Sequence, residues 1–222
     1  MLEAPRFLRP GYTLIRVTYR IGSWAAGVVC ALGIAYFVAL AFGFARAGLT
    51  EPIIDPVLAV MEGLTLLSAT ALVAAMAAVA LHASAERRIF GLLALAFTLL
   101  LAGTTSVVHF VGLSALRQMG EGGIVWPSPL YAAELLAWDW FLGLALLAAA
   151  PVFPGTGAEQ AVRRGLWLCG GLTLAGTVGP LVGDLRLQRI GILGYAVVLP
   201  VVFFLLARLF RAGIFSERGT HG

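Results

Sequence analysis

The sequence predicts an all-α fold: a polytopic membrane protein built as a bundle of six transmembrane helices, preceded by an N-terminal interfacial helix. Three observations carry this. Hydrophobic residues make up 60% of the chain, charged residues only 12%, and a soluble domain usually carries about 25% charged residues. Mean hydropathy is +0.96. Apolar runs of the roughly 20 residues needed to cross a bilayer recur at 23–45, 53–81, 89–113, 131–153, 165–182 and 190–210. One membrane domain, 1–222, uses the whole chain, with 1–22 as a cytoplasmic or interfacial segment and 211–222 as a cytoplasmic tail.

In chain order, Arg9, Arg16 and Arg20 recur at helical spacing while Phe7, Leu14 and Ile15 supply apolar contact, the pattern of a helix on a membrane surface that Pro10 and Gly11 interrupt. No small-residue cleavage site follows a short apolar core, so no removed signal peptide is expected. Span two begins after Glu51-Pro52, with Pro56 tolerated in its first turn. The connection from Arg117 to Leu130 is the longest and holds Gly120, Gly122, Gly123, Trp126, Pro127 and Pro129, the composition of a lid or of an interfacial loop. In span five Gly171, Ala175, Gly179 and Gly183 recur every four residues, which predicts close backbone packing and a central place in the bundle. Pro180 and Pro200 predict kinks in spans five and six. No internal repeat of the kind found in many transporters is present.

All fifteen basic residues are arginine, which excludes lysine chemistry such as a Schiff base, a pyridoxal-phosphate aldimine or a P-loop. Eleven arginines flank the spans on one side and four, Arg46, Arg117, Arg186 and Arg189, on the other. Positive charge stays on the cytoplasmic side, so the expected location is a bacterial inner membrane with both termini cytoplasmic. The net charge of +4 then points to anionic lipid rather than nucleic acid. Cys30 and Cys169 stand alone and read as small buried apolar residues.

An ionisable group inside a span is expensive and is a functional candidate by default. Glu62, His109 and Asp139 are expected at one level toward the outer side and are assigned catalytic roles. Thr65, Thr105, Trp138 and Glu134 are expected to bind substrate. Asp55 and Glu62, seven apart, share a helical face and form an acidic track from the outer mouth. Thr98, Thr105 and His109 share a face of span three, where a hydroxyl one turn from an imidazole relays a proton. Asp139 points about 140° from Glu134 on a regular helix, so Asp139 is expected to face the core and Glu134 the headgroups. Asp184 is expected to pair with Arg186 or Arg189. His82 lies at the cytoplasmic end of span two, too far from His109 in depth for a bis-histidine haem. Glu62, His109 and Asp139 would form a one-histidine, two-carboxylate donor set, although no metal is assigned and no cofactor is named by the sequence.

The run Ala137-Trp138-Asp139-Trp140-Phe141, with Pro151-Val152-Phe153, Gly179-Pro180 and Gly191-Ile192-Leu193-Gly194-Tyr195, resembles a pattern in small uncharacterised bacterial six-span integral membrane proteins, a resemblance that implies no activity. Glu62 with Thr65 is similar to the acid-plus-hydroxyl arrangement of emopamil-binding-type sterol isomerases, whose remaining aromatic and histidine pattern is missing here.

The functional expectation is an outward-facing acid and histidine pocket acting on a hydrophobic or amphipathic small molecule by proton transfer, in isomerase, cyclase or hydrolase chemistry. The alternatives are a proton-coupled transporter and a non-catalytic subunit of a membrane complex. Expected partners are membrane lipid and the small molecule, with a homo-oligomer left open and no nucleic acid.

Overall fold

Long apolar runs without internal breakers satisfy their backbone polar groups only as helices, and six of them must then find neighbours. The structure, a computed structural model, describes residues 10–48, 51–120 and 123–219, with side chains described from 14 to 214 within those ranges. Helix dominates, with no strand among the described residues. Six helices are each long and apolar enough to cross a membrane: α1 (Pro10–Ala47), α2 (Val57–His82), α3 (Ala85–Leu116), α4 (Pro129–Val152), α5 (Ala158–Val182) and α6 (Leu185–Ile214). Each packs on the next in chain order, and α6 returns onto α1, so the bundle is a closed ring. Ile34, Phe37, Val38, Leu99, Leu168 and Val201 are among the large apolar residues on its outside. Such a surface fits a multi-pass membrane protein and not a soluble monomer.

Pro10 to Gly22, the described part of the expected surface segment, runs without a break into α1. Pro10 and Gly11, expected to interrupt a surface helix, are themselves helical within the described residues. Arg6, Phe7 and Arg9 lie outside the described residues, as do Gly122 and His221.

Span five is not central. Among the most apolar stretches, 61% of residues are buried in α4 and 33% in α5. Gly171, Ala175 and Gly183 are exposed, while Val162, Leu166, Cys169, Thr173 and Gly176 form the buried face with Gly179. A strict four-residue repeat winds around a helix of 3.6 residues per turn, and the face that packs alternates steps of three and four. Pro180 has its expected effect: α5 breaks at Thr177, one residue past the Gly176 carbonyl that a proline nitrogen cannot reach.

The two halves of the ring differ. In the half that holds the last turns of α2 and the ends of α4 and α6, Leu72, Met76, Leu146, Phe153, Phe203 and Phe210 fill the interior with almost no exposed surface. Arg87 donates to the Pro151 carbonyl at 2.7 Å and Arg163 to the Phe153 carbonyl at 2.6 Å, satisfying the orphan acceptors at the end of α4. His82 packs there against Tyr19, Phe153 and Phe210. The other half is hollow.

Candidate functional site

The hollow half contains a cavity of about 690 Å³ whose wall includes residues from α1, α2, α3, α4 and α6. Three helices change winding at this end: π-helical segments occupy Gly112–Leu116, Leu136–Phe141 and Leu193–Val198. A π segment inserts a residue and frees backbone groups, and it commonly marks a functional site. The first reaches Arg117, the second carries Trp138 and Asp139, and the third carries Tyr195 just before Pro200.

Arg117 follows the first π segment and ties three groups together. Its Nη1 donates to Glu62 Oε2 at 2.6 Å and to the Gly112 carbonyl at 2.6 Å. Its Nε and Nη2 donate to the two oxygens of Asp55, each at 2.8 Å. The expected acidic track of Asp55 and Glu62 is thus a pair of carboxylates bridged by one guanidinium. Glu62 is only 2% exposed, so this charge is compensated where solvent cannot help. The hydrogen bonds that Arg117 donates hold the Asp55 carboxyl below its usual range, and their acceptance by Asp55 and then by Glu62 pushes the guanidinium further up.

A pH dependence follows. Because the folded-state pKa of Asp55 is depressed, its contribution is present above the unfolded value of about 3.9 and is lost as pH falls through the folded value. The wild-type melting temperature in detergent should therefore drop more steeply below about pH 4 than that of Asp55→Asn. Superimposable profiles would contradict this.

His109 pairs with Glu134: Nε2 lies 2.7 Å from Glu134 Oε1. Ser128 caps α4 by accepting from the Tyr131 amide at 3.2 Å, with Pro129 behind it, which fixes the first turn that aims Glu134 inward. Glu62, His109 and Glu134 all line the cavity. Each leaves one atom in its wall without a hydrogen-bond partner: Glu62 Oε1, His109 Nδ1 and Glu134 Oε2. Three of the expected substrate-binding residues, Thr65, Trp138 and Glu134, line the cavity as well, although the Thr65 hydroxyl is spent on the Met61 carbonyl at 2.8 Å.

Asp139 and Thr105 stand elsewhere. Asp139 is fully buried but outside the cavity wall, and accepts from Gln188 Nε2 at 3.3 Å; the same amide donates to the Tyr195 hydroxyl at 3.0 Å. Asp139 faces the core as expected, but it is Glu134, and not Asp139, that meets His109 and lines the cavity with Glu62. A π turn separates the two acids and defeats a constant 100° per residue. Thr105 is fully buried, and its hydroxyl has no partner, His109 included; Thr98 bonds the Ala94 carbonyl. Among the described residues no three histidine, cysteine, aspartate or glutamate side chains are placed to share a metal ion. Asp184 caps the start of α6 through the Arg186 backbone amide at 2.9 Å, where the sequence suggested an arginine side chain.

Asp139 is accommodated by two glycines. A Cβ on Gly176 would lie 3.0 Å from Asp139 Oδ1 and 2.7 Å from the Gly191 Cα, and one on Gly191 would collide with that carboxylate. Gly191→Ala should cost about 1–3 kcal/mol, the range of an overpacked core, read as a lower melting temperature in detergent. Adding Asp139→Ala should recover part of the loss, and a double variant no better than the single one would show that the clash lies elsewhere.

Ile124, Val125 and Trp126 fold over the mouth as part of the cavity wall, with Ile124 buried above Gly112. Sequence reasoning missed Arg117, Gln188, Tyr36, Tyr131 and Tyr195. Arg117 was legible as the one cation inside the longest connection; the tyrosines carry no periodic signal of their own. No protein-family model, curated protein or solved structure matches the chain.

Proposed function

We propose that the chain is a multi-pass protein of a bacterial inner membrane, both termini cytoplasmic, whose outward-facing cavity binds a hydrophobic or amphipathic small molecule and moves a proton on it. The observation that carries this reading is the His109–Glu134 pair at 2.7 Å in the wall of a cavity of about 690 Å³, a volume suited to a small-molecule ligand. Glu134 accepts from His109 Nε2, which leaves Nδ1 with a free lone pair and makes it the base; the carboxylate orients the ring and stabilises its protonated form. Such a pair serves an isomerisation, a cyclisation or a hydrolysis alike.

The arginine distribution, eleven against four, supports this orientation, with the Arg117 and Asp184 end outward. The apolar packing beyond the cavity ranks this reading above proton-coupled transport: Leu72, Met76, Leu146 and Phe203 are buried there with almost no exposed surface.

The test is proton exchange. Protein purified in a glycoside detergent is extracted for bound amphiphiles, and these are returned to it in heavy water. Wild type should place deuterium on a carbon of the bound molecule, and His109→Gln and Glu134→Gln should not. No retained amphiphile and no exchange would overturn the proposal.

A further inference from the structure

The cavity specifies the polar end of its ligand. Two carboxylates, Asp55 and Glu62, share the single cation Arg117, and Glu134 accepts from His109 with the Trp138 indole beside it. Among the wall residues, the buried atoms left without a hydrogen-bond partner are Glu62 Oε1, Glu134 Oε2, His109 Nδ1 and Trp138 Nε1. With the Nε2–H of His109 given to Glu134, the first three are acceptors and the indole N–H is the one donor. Glu62 and His109 are 2% and 6% exposed, so bulk water does not satisfy them, and a buried acceptor calls for a donor.

Aromatic rings complete the wall. Tyr36, Tyr131, Trp138 and Tyr195 all line the cavity. Trp138 and Tyr195 meet edge to face with centroids 5.8 Å apart, and Tyr36 is close enough to couple electrostatically to Tyr131 and Glu134. Ring faces carry negative potential and attract cations. At the rim, Glu51 and Asp184 balance Arg186 and Arg189, so the inner wall sets the sign. Val29, Leu40, Met61 and Leu199 supply an apolar lining for a tail.

We infer that the ligand is a single-chain amphiphile with a protonated, N–H-bearing amine as its head, held by Glu134 and Glu62 among the four aromatic rings. This rests on the cavity being the ligand site proposed above. A quaternary ammonium satisfies the rings but offers the carboxylates no hydrogen. An anion would be set against the carboxylates of Glu62 and Glu134.

Native mass spectrometry of the full-length protein in a glycoside detergent, titrated with dodecylamine, dodecyltrimethylammonium, dodecanol and dodecyl sulfate, tests this. Dodecylamine should bind about tenfold more tightly than the other three, and Glu134→Gln or Glu62→Gln should remove that preference. Ser68→Trp, which fills the cavity from α2, should abolish binding of every probe. If dodecanol or dodecyl sulfate binds as tightly as the amine and is lost in Ser68→Trp, the amine assignment falls while the ligand site stands. If no probe binds, or binding survives in all variants, both fall. The glutamine variants keep the shape of the side chain, so a preference unchanged in both overturns the inference even where Ser68→Trp fails to fold.

Discussion

Arg117→Ala should be the most destabilising single substitution at the open end of the bundle, by about 3 kcal/mol, the lower end of what is lost when one partner of a buried ion pair is removed. Glu62 is 2% exposed and loses its one hydrogen-bond donor among the described residues, and the Gly112 carbonyl loses a donor as well. Asp55 is more exposed, with 38% of its side chain accessible, and passes to water at little cost. The asymmetry gives the check its form. In denaturant titrations in detergent, Glu62→Leu combined with Arg117→Ala should recover most of the loss, because the uncompensated buried charge is gone. Asp55→Asn combined with Arg117→Ala should recover little. Equal recovery in both doubles would mean that Arg117 acts through the chain connection and not through Glu62.

How much of this was legible in the sequence divides along a physical line. The six spans were legible because lipid imposes one solution on a long apolar run, and their ends shift by a few residues, as where Glu159 and Arg163 join the helix start of α5. The rise per residue is nearly constant, and Glu62 and His109, expected at one level, do line one cavity; Glu134, expected nearer the headgroups, lines it with them and Asp139 does not. Azimuth was not. Within π segments the turn per residue departs from the regular value, and Asp139 sits inside one of them. The role of Arg117 was hidden for a related reason. It follows the π segment Gly112–Leu116, in a stretch read as loop, and helical winding there is what swings its guanidinium onto α2. The stripe in α5 failed because small residues permit close packing without saying which face has a neighbour, and Gly171 has none within 4 Å.

The exchange of roles between Glu134 and Asp139 yields the second large effect. If the His109 pair carries the proton, Glu134→Gln should lower turnover of the bound amphiphile by about 10²-fold or more, the usual share of a positioned acid or base. It should leave the fold nearly intact, since an amide oxygen still accepts from the imidazole. Asp139→Asn should do the reverse. Its carboxylate lies between Gly176 and Gly191 and accepts from Gln188, so an amide there sets one N–H against another or against glycine backbone and lowers the melting temperature. Turnover per folded molecule should stay within a few-fold, because Asp139 does not line the cavity. Measuring both quantities for both variants separates position in the wall from position in the packing. Loss of turnover in Asp139→Asn at unchanged stability would return the catalytic assignment to Asp139, and with it the reading of α4 as a regular helix whose acids face opposite ways.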